Sequence, residues 1–250
     1  MRSNLLKSGV LASLLALGLS AQAAPASPAP KRATELPPSA DLAYDLAAQQ
    51  RGFNLKGEAS IAWRAGDGKY DVGVEARVPL IGKLTEYRSH GTVDSFGLAP
   101  AEFYEKRYRK NPTTAVFERK AKTLTLPEGK EPIALKGGEQ DRASVTWQLA
   151  AVARAAGEAR FKPGSEWTFV VAGRRGVEPW TFKVVKREKI QTGMGELDTL
   201  LVTREPRAGG KSEGVDIWLA PNQEWYPVKL RFRDDERETI EQTVSKITKK

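Results

Sequence analysis

Residues 58–78 read EASIAWRAGDGKYDVGVEARV, and their spacing decides the fold class. Ala59, Ile61 and Trp63 alternate with Glu58, Ser60 and Arg64. Tyr70, Val72, Val74, Ala76 and Val78 alternate with Lys69, Asp71, Glu75 and Arg77. A period of two places each set on its own face of an extended chain, because successive side chains of a strand point to opposite sides. Between the runs, Asp67-Gly68 suits the positive torsions of a tight hairpin turn. The stretch predicts two half-buried antiparallel strands.

The same rhythm continues outward. Further strands are expected near 85–93, 102–108, 115–119 and 123–126, then 166–171, 180–185, 195–203, 215–219, 227–232 and 239–247. Breaks fall at Gly97, Asn111-Pro112, Pro127, Gly137-Gly138, Pro163-Gly164, Gly173, Gly176, Pro206, Gly209-Gly210 and Pro221-Asn222, residue types that punctuate strands. In VDIWLAPNQEWYPVKLRF, residues 215–232, Val215, Ile217 and Leu219 share one face. Val228, Leu230 and Phe232 share a face of the next strand, which Pro227 opens where its missing donor costs little. Trp218 and Trp225 are left over. Either they pack under loops or they line a groove.

One segment departs from the pattern: QDRASVTWQLAAVARAAGEARF, residues 140–161. Val145, Leu149 and Val152 recur at helical spacing, Asp141 can cap the first turn, and Gly157 stands where a helix would end. An amphipathic helix of about four turns is expected. Parallel crossovers would need a helix after nearly every strand, so a doubly wound α/β fold is excluded. The expected architecture is mainly β: one antiparallel, strongly curved sheet, a barrel or half-barrel, with one inserted helix covering its concave side or plugging its open end.

Residues 1–23 read as a secretory signal peptide: basic Arg2 and Lys7, an apolar run at 10–19, and the small-x-small site Ala21-Gln22-Ala23. No cysteine follows the cut, so a lipid-anchored form is not expected, and no other segment approaches membrane-spanning length. Residues 24–41 are rich in alanine and proline and read as an extended tether, leaving 42–250 as one domain in the periplasm. Without cysteine the fold has no disulfide and must rest on its core. Lys plus Arg number 40 against 31 Asp plus Glu, so losing Arg2 and Lys7 leaves a net charge of +7. That balance favours anionic partners or simple solubility, and in an exported protein the partner is not nucleic acid.

Catalytic patterns are missing. His90 is the sole histidine and has no nucleophile elbow to serve. One histidine and no cysteine cannot build the usual zinc sites. The acidic run RDDERE, 233–238, is interspersed with arginine and reads as a solvated turn rather than a calcium loop. No phosphate-cradling loop leads into a helix, so no cofactor is expected. FYEKRYRK, 103–110, reads as a strand with a cationic outer face in which Lys106, Arg107 and Arg109 could meet anionic headgroups.

LPPSADLAYDL, LKGEASIAW, GLAPAEF, QDRASVTWQLAAVARA, RGVEPWTFKV and the stretch from 215 to 232 occur in order at suitable spacing. With them the chain resembles the bacterial envelope family of domain of unknown function 3108, in its betaproteobacterial form. The matching positions are Tyr44, Gly57, Ala59, Gly97, Leu98, Pro100, Asp141, Ser144, Trp218, Leu219 and Pro227. The resemblance implies a periplasmic β protein and supplies no reaction. Two readings stay open. One is a non-enzymatic binder or carrier of a hydrophobic or anionic amphiphile, with Trp147, Leu149, Val152, Trp218 and Trp225 as cavity or lid residues. The other is a structural or interaction factor of the envelope with a packed core and a protein partner. Neither is an integral membrane protein.

Overall fold

The hairpin of residues 58–78 forms with Gly66 opposite Lys69, and its two turn residues, Asp67 and Gly68, both take positive φ (49° and 69°). This is the mirror-image turn whose twist matches that of the flanking strands. The computed structural model describes residues 30–50, 53–79, 81–205, 214–233 and 239–250. The expected signal peptide, the start of the tether, the Pro206 and Gly209-Gly210 breaks and the acidic run 234–238 lie outside the described residues.

Before the helix come β1 (Ala40–Gln50), β2 (Phe53–Gly66), β3 (Lys69–Val78), β4 (Gly82–Asp94), β5 (Gly97–Arg107), β6 (Thr113–Glu118), β7 (Thr123–Thr125) and β8 (Ile133–Ala134). After α1 (Ser144–Arg160) come β9 (Glu166–Ala172), β10 (Val177–Thr192), β11 (Gly195–Arg204), β12 (Gly214–Ala220), β13 (Tyr226–Arg233) and β14 (Thr239–Lys249). A 3-10 turn, Pro221–Gln223, joins β12 to β13. All described strands belong to one sheet in the order β8-β7-β6-β5-β4-β3-β2-β1-β14-β13-β12-β11-β10-β9. It consists of two antiparallel meanders joined where β1 pairs with β14, from Ala40↔Lys249 to Gln49↔Thr239.

The sheet is curled but not closed. Its edge strands, β8 and β9, do not pair with each other. Instead the segment after β8 crosses the seam. Gln140 N–H donates to the Val170 carbonyl and its own carbonyl accepts from Ala172 N–H, both at 2.8 Å. Glu128 N–H donates to the Arg174 carbonyl at 3.0 Å, and its carboxylate pairs with Arg174 and Arg175. The exposed ion pairs contribute little each, so the backbone bonds hold the seam.

Helix α1 lies inside this curl. The sequence predicts one apolar stripe; the helix is instead buried on nearly every side, from Ser144 and Val145 through Trp147–Ala153. Small side chains at Ala150, Ala151 and Ala153 allow the sheet to approach from flanks a larger residue would fill. Trp147, 1% exposed, stacks on Trp63 of β2 with ring centroids 4.2 Å apart and planes at 4°, and meets Tyr226 edge-on at 6.2 Å. Such aromatic pairs contribute about 0.5–1.5 kcal/mol beyond the area they bury. Gly157, with φ 61° and ψ 173°, breaks the helical geometry, and one last turn follows it.

Two differences from the sequence expectation have physical causes. β1 was not anticipated as a strand, although Leu42, Tyr44, Leu46 and Ala48 alternate inward and are buried. The segment expected as a tether also lies against the domain over residues 35–38. Trp63 Nε1–H donates to the Pro37 carbonyl at 2.9 Å, Tyr226 O–H to that of Pro38 at 2.9 Å, and Glu35 N–H to that of Ala151 at 3.0 Å. Prolines supply carbonyls without needing donors of their own, so this extended segment satisfies groups of the core rim.

Candidate functional site

At the end of the sheet where β3 turns into β4, strands β2 and β3 part. Their ladder begins at Glu58↔Arg77, while β2 runs back to Phe53 paired only with β1. Three local features open the wedge. Pro79 has no N–H to continue β3. A bulge between Ala76 and Arg77 bends the β3–β4 hairpin aside. Gly57 sits where the chains diverge, and a side-chain carbon there would collide with the Arg77 carbonyl. The result is a solvent-open cleft of about 710 Å³ lined by Lys56, Gly57, Glu58, Arg77, Val78, Pro79, Ile81 and Gly82.

The cleft is amphipathic. Buried Val78, with Pro79 and Ile81, supplies its apolar lining, and Lys56, Arg77 and Glu58 supply its charged lining. Behind it, Lys83 Nζ bonds Glu75 at 2.9 Å and Glu86 at 2.8 Å. The Lys83 ammonium holds both carboxyls below their ordinary range, and they in turn raise Lys83. Arg77 also reaches Glu75, at 3.1 Å. Lys56 has no carboxylate partner among the described residues.

None of the five aromatic and aliphatic residues singled out from the sequence lines this cleft. Trp147, Leu149 and Val152 pack within the buried helix. Trp225, φ 64°, meets Phe161 edge-on at 5.7 Å near the C-terminal end of α1. Trp218 lies on the other face of β12 from Ile217, with Lys229 and Arg231 over its ring at 5.1 and 5.2 Å and its N–H on Glu188 at 2.9 Å. The cations divide as well. Arg107 shares the inward face of β5 with Phe103 and pairs with the buried Glu105, whereas Lys106 points outward and Arg109 sits in the β5–β6 turn.

A second polar assembly surrounds the helix N-terminus. Asp141 Oδ1 accepts from the N–H groups of Ala143 and Ser144, both at 2.8 Å. Its Oδ2 accepts from the Ser89 hydroxyl at 2.5 Å, and Ser89 lies 3.0 Å from Tyr70 Oη. Burial pushes the Asp141 carboxyl up to about 6 against these hydrogen bonds, and it raises Tyr70 as well, with the nearby Asp141 charge adding to the effect. The Tyr70–Ser89–Asp141 chain runs through the interior: Ser89 and Asp141 are fully buried, while the neighbouring His90 is exposed. It ties α1 to β3 and β4. Gln148 adds a second tie: it accepts from Leu98 N–H at 2.7 Å and donates to the Phe96 carbonyl at 2.8 Å. Sequence reasoning identified Asp141 through its capping position but had no local signal for Gln148 or the cleft.

Among the described residues no group of three His, Cys, Asp or Glu side chains could hold a metal ion, and no helix is long and apolar enough to cross a membrane.

The model of the family described as "Protein of unknown function (DUF3108)" matches residues 43–240. Comparison with curated proteins found no match. Among solved structures, a candidate lipoprotein from Parabacteroides distasonis aligns at 11% identity and a TM-score of 0.33, covering 87% of this chain and 97% of the other. A candidate exported protein with a YmcC-like fold from Bacteroides fragilis aligns at 8% identity and 0.31, covering 88% and 100%. A DUF1329 family protein from Desulfovibrio piger aligns at 8% identity and 0.27, covering 85% and 86%.

Proposed function

The chain belongs to the DUF3108 family, and from that premise we propose that it is an exported, periplasmic, non-enzymatic protein that binds and carries a hydrophobic or anionic amphiphile in the cleft between β2 and the β3–β4 hairpin. The observation that carries this reading is the cleft itself. Its 710 Å³ falls within the roughly 300–1,000 Å³ usual for small-molecule sites. Val78, Pro79 and Ile81 suit an acyl chain, and Lys56 and Arg77 suit an acidic headgroup. Residues 1–23 support export, since they combine a basic head, a short apolar run and a small-x-small site.

The interior around α1 is filled by Trp63, Trp147 and Tyr226, which favours the other reading, an envelope interaction factor, over a ligand held beneath the helix. Native mass spectrometry with solvent extraction, on protein purified from its own periplasm without detergent, separates the two. An extractable amphiphile that is lost in Val78→Asp supports carriage in the cleft. A bare chain mass after exposure to envelope lipids refutes it and directs the search to protein partners.

A further inference from the structure

Four large apolar side chains stand exposed among the described residues, and two of them, Ile81 (39%) and Tyr108 (43%), lie at one end of the sheet. Ile81 belongs to the β3–β4 turn and Tyr108 to the β5–β6 turn. Only the start of β4 separates these turns: Tyr108 N–H donates to the Leu84 carbonyl at 2.7 Å, and Thr85 pairs with Arg107. A hydrogen bond from Lys110 N–H to the Arg107 carbonyl at 3.0 Å closes the second turn, and Arg109 takes φ 54° within it. The turn thereby presents Tyr108, Arg109 and Lys110 outward together. Lys106 Nζ donates to the Lys110 carbonyl at 2.6 Å, which draws a further cation to the same tip.

The charge here is not balanced. Lys106, Arg109 and Lys110 have no carboxylate partner among the described residues, nor has Lys56 nearby. The acids of this end are already engaged: Glu75 and Glu86 by Lys83, Arg77 and Arg88, and Glu105 by Arg107. Glu58, opposite Arg77 in the ladder, is the exception. We infer that this tip is a docking surface for an anionic phospholipid bilayer, with Tyr108 and Ile81 entering the headgroup layer and Lys106, Arg109 and Lys110 meeting its phosphates. The aromatic ring with a polar tip belongs at that depth, and clustered lysine and arginine add attraction to anionic lipid. The inference rests on the carriage reading and deepens it. Ile81 belongs both to the tip and to the cleft, so a docked protein opens its cleft at the membrane and an amphiphile exchanges without crossing water.

Flotation of the purified protein with vesicles tests it. Vesicles of phosphatidylethanolamine with phosphatidylglycerol should carry the protein at low salt and release it at high salt; phosphatidylcholine vesicles should not carry it. Lys106→Gln combined with Lys110→Gln should weaken binding roughly 25-fold, at about fivefold per lysine. Tyr108→Ser should weaken it while leaving the salt dependence intact. Unchanged melting temperatures show that both variants fold. Failure to float on anionic vesicles at low salt, or wild-type flotation by both variants, overturns the inference. Extraction of bound amphiphile is read separately: a protein that retains ligand but never floats loses the docking surface and keeps the carriage, and one that floats without ligand does the reverse.

Discussion

Replacing Trp147 by alanine decides whether the space around α1 is core or cavity. The indole is 1% exposed, lies flat on Trp63 at 4.2 Å and touches the edge of Tyr226. All three groups sit on different elements: the helix, β2 and β13. Truncation therefore removes burial and leaves a void between rigid walls. Trp→Ala changes in packed cores cost about 3–5 kcal/mol, the stacking contribution included. For a domain of this size each kcal/mol lowers the melting temperature by roughly 2–4 °C, so 4 kcal/mol corresponds to about 8–16 °C. Differential scanning calorimetry at neutral pH, with reversibility checked by a second scan, measures it. Trp147→Phe should recover part of the loss. Near-parallel indoles also couple electronically, and that circular dichroism couplet should vanish in both variants. A fall of less than about 3 °C for Trp147→Ala would refute the packing argument, because a side chain lining a ligand space leaves no new void when it is removed.

Two other outcomes follow from the polar assembly at the helix N-terminus. Asp141 is raised from 3.8 to about 6 in the folded protein, so the native state holds a proton that the unfolded chain has released between those values. The contribution of Asp141 to stability must therefore fall as pH rises from about 4 to 6, by roughly 3 kcal/mol at most. Lowered carboxyls such as Glu75 and Glu86 contribute with the opposite sign, so the fall is read as the difference between the urea stabilities of the wild type and Asp141→Asn, which should shrink over that range. Gln148→Leu strips the buried Leu98 N–H of its acceptor and the Phe96 carbonyl of its donor. It should cost about 1–3 kcal/mol and speed hydrogen exchange at Leu98, and an unaltered Leu98 rate would contradict the assignment.

Much of the architecture was legible because β alternation and helix punctuation are local. Asp67-Gly68 specified its turn, Asp141 and Gly157 marked the helix, and the long succession of strands pointed to a curled sheet. β1 escaped notice because Ala47 and Ala48 near its end blur the contrast between faces. The extent of helix burial was hidden for a related reason: alanines read as a neutral flank, yet they are what admits close packing on every side. Trp218 lay beyond local reasoning because β12 is covered on both faces, one by core and the other by Lys229, Arg231 and Glu188. The cleft depends on Gly57 meeting Arg77 across 19 intervening residues, and only the register brings them together.

The pairing of β1 with β14 has a kinetic meaning. Each meander can assemble from neighbours as it emerges, but the bond between them joins Ala40 to Lys249, and closing so long a loop carries a large entropic cost before any contact compensates it. Until β14 arrives, β1 has only β2 beside it and its other edge stays unpaired. That exposed edge is then the stretch most open to mispairing with a neighbouring molecule, and completion of the whole sheet is timed by the last strand to join.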